Sequence, residues 1–462
     1  MNRVRVGLLP FYLKMHDDYF PERRAEAKVY LNYVISKLKE KGLDVFETPI
    51  CSEKREFEAA VDYLNSNNLD AVITLHIVYS PSLESIDSLM RLNAPIIVLN
   101  TTPDYDFGEK RISRMIRPNI GIHGVQDMCS MLNRNKIKYW VVAGHIDYSD
   151  VLDRLLIYVN AAKMAKLMKT AKVGIIGGSY KGMGDFFVAP ERLKKEIGIE
   201  IIPFDFENDT KLLNDIYQDE VVKEIKSDLE NYSISFQIDK DYVDTVKACL
   251  LTRKWIEKNN LIGFTANFMA ITQETGFPRM PFMEASKAMA RGVGYAGEGD
   301  TLTAALVGTL LHAYPQTSFT EMFCPGWSDN TIFLSHMGEM NISLCEGKPV
   351  IAKMNMIFSD TGDVVCAYGK YKSGEAAIVN LTPLDKGYRM IIAPGVIVRK
   401  PDSEELKYRI EGWFRPKVSV VEFLEKFSIL GGTHHSAVCY EANMQELIVL
   451  GEMMGFEVKV ID

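Results

Sequence analysis

The first 170 residues alternate short apolar runs with segments whose apolar positions recur at helical spacing. Runs at 4–10, 69–77, 94–99 and 138–143 are rich in Val and Ile and predict strands. Between them, 25–41 and 56–65 place apolar residues three and four apart, which predicts amphipathic helices. Near-continuous apolar strands alternating with helices predict a parallel sheet covered on both faces. A long helical pattern at 149–169 leads into a second unit.

That second unit opens on another buried-strand pattern at 171–176, followed by the glycine-rich GGSYKGMGDF of 177–186. A charged helical stretch at 239–259 and an apolar run at 261–265 follow. Asp300 then precedes a run of good helix formers up to His312, as an N-cap would. Beyond Pro315 the texture changes. Residues 330–399 are short runs broken by Gly, Pro, Asn and Asp, which predicts an antiparallel or barrel-like β unit. The tail predicts a helix at 443–454 and a last strand at 457–461. The expected domains are therefore 1–170, 171–314 and 315–462, the first two α/β and the third β-rich.

Composition narrows the function classes. With 47% hydrophobic and 25% charged residues, the chain has the mix of a globular protein. A net charge of −8 offers no global positive field for a polyphosphate backbone, so nucleic acid is not an expected partner. No stretch of about 20 residues is apolar and free of charge, so no membrane span is expected. The N-terminus reads as a first strand, not a secretory signal. Seven scattered cysteines without a C-x-x-C pair suit free thiols in a reducing cytoplasm.

Candidate chemistry gathers late in the chain. Of eight histidines, His434 and His435 are adjacent in GGTHHSA, where the glycine pair suggests a tight turn. His336, in FLSHMGEMN, follows an apolar run and is expected at a strand end. Glu298 lies between Gly297 and Gly299 in GYAGEGDT, where neither neighbour supplies side-chain contacts and both permit close approach of a ligand. Glu321 is the single charge between Thr301 and Trp327, and an isolated buried carboxylate costs several kcal/mol unless paired or metal-bound. Two Glu and two His without thiolate suit Mn²⁺, Co²⁺ or Mg²⁺. The 177–186 loop lacks both the P-loop and the dinucleotide patterns and reads as a strand-to-helix turn in which Tyr180, Lys181 and Asp185 could meet substrate hydroxyls. His16, His76 and His145 read as loop or core histidines of the first domain.

The segments GYAGEGD, TSFTEM, LSHMGE and GGTHHS, in that order, resemble the L-arabinose isomerase family of the wider L-arabinose/L-fucose isomerase group, with weaker similarity at GIHGVQDM and VVAGH. The resemblance covers nearly the whole chain. It implies two Rossmann-like (fucose isomerase-like) α/β domains followed by a β-rich, barrel-like C-terminal domain. It implies a divalent metal, first of all Mn²⁺, held by Glu298, Glu321, His336 and His435. It implies a cytoplasmic homotrimer or homohexamer whose sites are shared between subunits, with His123 reaching into the neighbour's site. Met183 and Phe268 fall where the family has apolar pocket walls, and His434 is a further substrate contact.

The activity implied is aldose–ketose isomerisation of a free sugar through a cis-enediol, with Glu298 and Glu321 moving the protons. A metal-dependent sugar epimerase or lyase, or a sugar-binding protein without turnover, are the alternatives. The chain departs from the family at the end of the first strand. There the family carries Gln in GSQ-L-Y, and this sequence reads LPFYLK over 9–14. Thr301 also replaces a Trp that commonly follows GEGD. A changed sugar-reading shell around a kept set of ligands leaves the sugar open.

Overall fold

The apolar runs of the first 170 residues become the strands of one parallel sheet. In the computed structural model, which describes residues 3–108, 115–357 and 359–462, the chain forms two compact units, Met1–Lys166 and Leu167–Asp462. The first unit contains β1 (Arg5–Phe11), α1 (Lys14–Tyr19), α2 (Glu22–Glu40), β2 (Asp44–Glu47), α3 (Lys54–Asn65), β3 (Ala71–His76), α4 (Ser82–Leu89), β4 (Ile96–Asn100), α5 (Gly121–Arg134), β5 (Tyr139–Ala143) and the start of α6 (Val151–Lys169). The strands lie in the order β2-β1-β3-β4-β5, every pair parallel. All six residues of β3 are buried, as expected of a strand covered on both faces. Helix α3 shows why helical spacing works: Phe57, Ala60, Val61 and Leu64 form its buried stripe. The short, half-exposed β2 is an edge strand with too little apolar sequence to announce itself.

The second unit opens with β6 (Lys172–Ile176), α7 (Pro190–Glu196), β7 (Glu200–Pro203), α8 (Gln218–Asn231), β8 (Ser233–Ile234), α9 (Lys240–Asn259), β9 (Gly263–Ala266), α10 (Phe282–Ala290), β10 (Gly294–Gly297) and α11 (Thr301–Leu311). Strands β10-β9-β6-β7 form a second parallel sheet. The unit ends with β11 (Thr317–Gly326), β12 (Thr331–Ser335), β13 (Val350–Met354), β14 (Val364–Lys370), β15 (Gly374–Pro383), β16 (Tyr388–Ile397), β17 (Ile410–Pro416), α12 (Val420–Ile429), β18 (His435–Tyr440), α13 (Met444–Met454) and β19 (Glu457–Val460).

These strands build a ten-stranded sheet in which β16 also pairs with β17. Following the pairs β16-β15-β18-β11-β12-β17 and back to β16 closes a ring of antiparallel neighbours. The barrel-like reading of the C-terminal third is therefore correct, and closure removes the sheet edges that six such strands would otherwise expose. Helix α11 is buried along its whole length and packs on the parallel sheet through β6, β9 and β10 and on the large sheet through β11, β15 and β18. A helix covered on all sides has no polar face, which explains its apolar sequence. Among the described residues, no helix is long and apolar enough to cross a membrane, and all seven cysteines are free.

Candidate metal centre

Glu298 sits at the carboxyl end of β10, in the turn that starts α11. It adopts a left-handed φ of 54°, and Gly299 follows at 88°. A Cβ on Gly297 would stand 3.1 Å from His336 Cε1, and one on Gly299 would stand 2.4 Å from Ser179 Cα. Gly299 is required by its positive φ and by this close approach to backbone, and a side chain at Gly297 would press on the His336 ring. The 177–186 loop packs on this turn. The Tyr180 N–H donates to the Glu298 carbonyl at 2.8 Å, and the Ser179 hydroxyl donates to the Gly299 carbonyl at 2.8 Å. Asp300 caps α11 by accepting from the Thr303 N–H at 2.9 Å, as its position in the sequence predicts.

Strand register supplies the other groups. Glu321 on β11 stands opposite His435 on β18 and opposite Ser335 on β12, and His336 is the next residue after Ser335. Three adjacent strands thus bring together residues that are far apart in the chain. His435, expected in a turn, is the first residue of β18, and His336 lies at a strand end as expected.

The four groups meet at their tips. His336 Nε2 lies 3.0 Å from Glu321 Oε1 and 3.5 Å from Glu298 Oε1. His435 Nε2 lies 2.7 Å from Glu298 Oε2 and 3.0 Å from Glu321 Oε1. Each imidazole is held from behind by a buried carboxylate. His336 Nδ1 is 2.7 Å from Glu339 Oε2, and His435 Nδ1 is 3.0 Å from Asp300 Oδ2. Glu339 also accepts from the Tyr295 hydroxyl at 3.0 Å and the Gly338 N–H at 2.7 Å. Phe186 stacks on the His435 ring, and Phe319 meets it edge-on.

The electrostatics follow from this crowding. Burial pushes both glutamates up, but hydrogen bonds and charge from His336 and His435 outweigh it. They hold Glu298 far below the usual carboxylate range and bring Glu321 down to about 2. Burial would lower both histidines, yet their carboxylate neighbours raise them well above the ordinary imidazole value. The cluster is therefore a place that demands positive charge.

Two carboxylates and two imidazoles with their tips about 3 Å apart are the spacing of neighbouring ligands bonded at about 2.1 Å to one ion. Carboxylates on the far ring nitrogens fix tautomer and orientation, as metal-ligating histidines require. The residues fit a divalent cation. His434 also brings a ring nitrogen into range: ligand atoms of Glu298, Glu321, His434 and His435 all lie within 4.8 Å of one another. Its surroundings differ from those of His336. The His434 side chain is 40% exposed, and its Nδ1 and backbone N–H reach Asp185 Oδ2 at 2.7 and 3.0 Å.

Of the remaining expected residues, Phe268 packs its ring 5.7 Å from Tyr180, in the loop that hangs on Glu298. Met183 is half-buried in the same loop. His123 is exposed on α5 of the other unit. Sequence reasoning missed Glu339 and did not connect Asp300 to a histidine. A signal for the first existed, an acidic residue three positions after His336.

Two family models match the chain: the L-arabinose isomerase central domain over residues 192–313 and the L-arabinose isomerase C-terminal domain over 316–457. The L-arabinose isomerase of Shouchella clausii (strain KSM-K16) is 25% identical, over 96% of this chain and 92% of its own length. Those of Geobacillus thermodenitrificans (strain NG80-2) and Geobacillus stearothermophilus are 24% and 23% identical, over 86% and 90% of this chain and 82% and 86% of theirs. A periplasmic solute-binding protein of Actinobacillus succinogenes 130z, solved with bound D-allose, is similar at 13% identity over 67% of this chain and 91% of that one. Its TM-score of 0.16 is too low to carry an argument. With the two models adjoining and the relatives spanning almost the full length, the chain is a divergent member of the L-arabinose isomerase family.

Proposed function

We propose that this protein is a metal-dependent aldose–ketose isomerase acting on a free sugar through a cis-enediol. The observation that carries the reading is the convergence of Glu298, Glu321, His336 and His435 within 2.7–3.5 Å, each imidazole backed by a buried carboxylate. The two glutamates and the Nε2 atoms of the two histidines would hold the cation, with Mn²⁺ the first candidate and Co²⁺ or Mg²⁺ the others. When bound, the cation supplies Lewis acidity to the carbonyl and adjacent hydroxyl oxygens of the sugar.

Glu298 meets imidazoles with both oxygens, whereas Glu321 does so with Oε1 alone. This favours Glu321 Oε2 as the atom that takes the C2 proton and returns it to C1, a role contributing about 10²–10⁴-fold. Glu298 orients the hydroxyl side. His434, half-exposed and tied to Asp185, is suited to contact a substrate hydroxyl, and Met183 and Phe268 to wall the pocket. The family reading also carries a cytoplasmic homotrimer or homohexamer in which His123 completes a neighbour's site.

The test is metal-stripped protein reloaded with Mn²⁺ and offered a panel of pentoses, hexoses and deoxy-sugars in D₂O, beside a Glu298→Gln, Glu321→Gln double variant. The expected result is metal-dependent ketose carrying solvent deuterium, absent in the variant. A C-epimer or a cleaved fragment would replace isomerisation by a related enediolate reaction. No product and no exchange, with sugar-dependent thermal stabilisation, would replace it by binding alone.

A further inference from the structure

His434 and His435 are neighbours in the chain, and within a strand neighbouring side chains point to opposite faces. His434 escapes that alternation because β18 begins one residue later, and its ring centre lies 4.2 Å from that of His435. One of its ring nitrogens therefore shares a 4.8 Å span with ligand atoms of Glu298, Glu321 and His435. His434 also has what the other two histidines of the cluster have, a carboxylate behind the ring. Asp185 Oδ2 lies 2.7 Å from His434 Nδ1, as Asp300 Oδ2 lies 3.0 Å from His435 Nδ1 and Glu339 Oε2 lies 2.7 Å from His336 Nδ1. An ionised carboxylate only accepts, so Nδ1 carries the proton and Nε2 keeps its lone pair. That is the tautomer of a metal-ligating imidazole with its outer carboxylate.

The three rings differ in how firmly they are held. The side chains of His336 and His435 are 3% and 0% exposed, and Glu339 and Asp300 behind them are fully buried. Glu339 is fixed further by Tyr295 and by the Gly338 N–H, and Asp300 by the cap it makes on α11. His434 and Asp185 are instead 40% and 39% exposed, and Asp185 belongs to the 177–186 loop. Packing fixes two imidazoles in place, whereas the third is presented by one carboxylate and has solvent to turn into.

Coordination number gives this difference a use. Divalent cations of the Mn²⁺ class favour six positions. Two glutamates and three imidazoles would fill five of them, and a sugar held through its carbonyl and adjacent hydroxyl oxygens needs two. One protein donor has to leave, and His434 is the one free to do so. We propose that His434 is a fifth, exchangeable ligand, which Asp185 presents to the cation while the site holds no sugar and which the second sugar oxygen displaces. A neutral imidazole gives way to a neutral hydroxyl, so the exchange moves no proton and no net charge. The displaced ring, still tied to Asp185, stays beside the sugar, where its Nε2 accepts from a hydroxyl. Asp185 is then a positioning residue for a closed state of the centre. The inference rests on the isomerase reading of the cluster and adds to it how the free site is kept shut.

The test counts imidazoles. Proton NMR of the Co²⁺-loaded full chain resolves the paramagnetically shifted ring protons of each ligating histidine. It is run on the wild type, His434→Ala, Asp185→Asn and the Glu298→Gln, Glu321→Gln double variant. Each is measured alone and with ribitol, xylitol or sorbitol, polyols that offer adjacent hydroxyls and cannot be isomerised. Co²⁺ affinity is measured in parallel by chelator competition. Both His434 and Asp185 are well exposed, so their replacement keeps the fold, which the melting temperatures of the metal-free chains check. The expected result is three ligating imidazoles in the wild type, two once a polyol is bound, and two throughout in His434→Ala. Co²⁺ affinity should fall about tenfold or more in His434→Ala and about 10–100-fold in Asp185→Asn. Two imidazoles from the start, three that persist with polyol bound, or an affinity indifferent to His434→Ala would each overturn the exchange and leave the four-ligand centre standing. A wild type that holds no Co²⁺, binds none of the polyols, or matches the double glutamate variant would overturn the isomerase reading as well.

Discussion

Asp300 and His435 are joined by a carboxylate that serves two elements at once. Its Oδ1 caps α11 through the Thr303 N–H at 2.9 Å, and its Oδ2 holds His435 Nδ1 at 3.0 Å. The start of a fully buried helix is thereby tied to the first residue of β18, and the imidazole is aimed at Glu298.

Asp300→Asn separates these duties. The amide oxygen can still cap the helix, but the amide NH₂ then faces His435 Nδ1 and forces the ring proton onto Nε2. A protonated Nε2 cannot ligate, so Mn²⁺ affinity should fall about 10–100-fold. Competition titration against a chelator measures this, and an unchanged affinity would remove Asp300 from the site. Asp300→Ala should also lose the cap, at about 1 kcal/mol, seen as a lower melting temperature.

Gly299→Ala should strain the turn that presents Glu298. The residue has φ 88°, and an added Cβ would stand 2.4 Å from Ser179 Cα in the loop below. The cost is about 1–3 kcal/mol, read by denaturant unfolding, together with weaker Mn²⁺ binding. Wild-type stability in this variant would contradict the packing described.

His76 makes the first unit sensitive to acid. It is 2% exposed, stacks on Phe11 at 4.3 Å, and neither ring nitrogen has a partner. Burial brings its pKa down to about 3. A folded pKa below the unfolded value means that the unfolded chain takes up a proton first. Its effect on stability is therefore nil above about pH 6.5 and becomes a loss of up to about 1.4 kcal/mol per pH unit as pH falls from there toward 3. Denaturant titrations from about pH 6.5 to about pH 4 should show a shallower slope in His76→Leu than in the wild type.

Lys287 is the centre of a buried ion network away from the metal cluster. Its Nζ lies 2.7 Å from Glu224 and 2.5 Å from Asp228, and Arg253 bridges Glu224 and Glu284. Lys287→Met leaves Asp228 buried without its cation and should cost about 3–5 kcal/mol. Lys54→Met, breaking the exposed pair with Asp87, should leave the unfolding midpoint close to that of the wild type. Equal effects in parallel unfolding experiments would mean that the Lys287 network is solvated.

Much of the site could be read in the chain because its parts carry local signals. Glu298 stands out between two glycines, Glu321 is a lone charge in an apolar stretch, and Asp300 precedes a run of helix formers. His435 was harder, because GGTHHSA looks like a turn until β18 is seen to begin at that residue. The edge strand β2 and the short helix α4 escaped detection because each is too short to show a period. Glu339 was missed because an acidic residue near a histidine has no meaning until its carboxylate is found buried behind the ring.

The sequence by itself determined the buried strands, the stripes of the helices, the break in texture after Pro315 and the residue types able to hold a cation. Periodicity and apolar content are properties of segments and survive without the fold. Only the tertiary structure decided that Glu321 faces His435 on one side and Ser335 on the other, and that the C-terminal strands close a ring. Strand register and ring closure depend on which distant segments pair. That choice is made by packing across the whole unit and leaves no mark within any one segment.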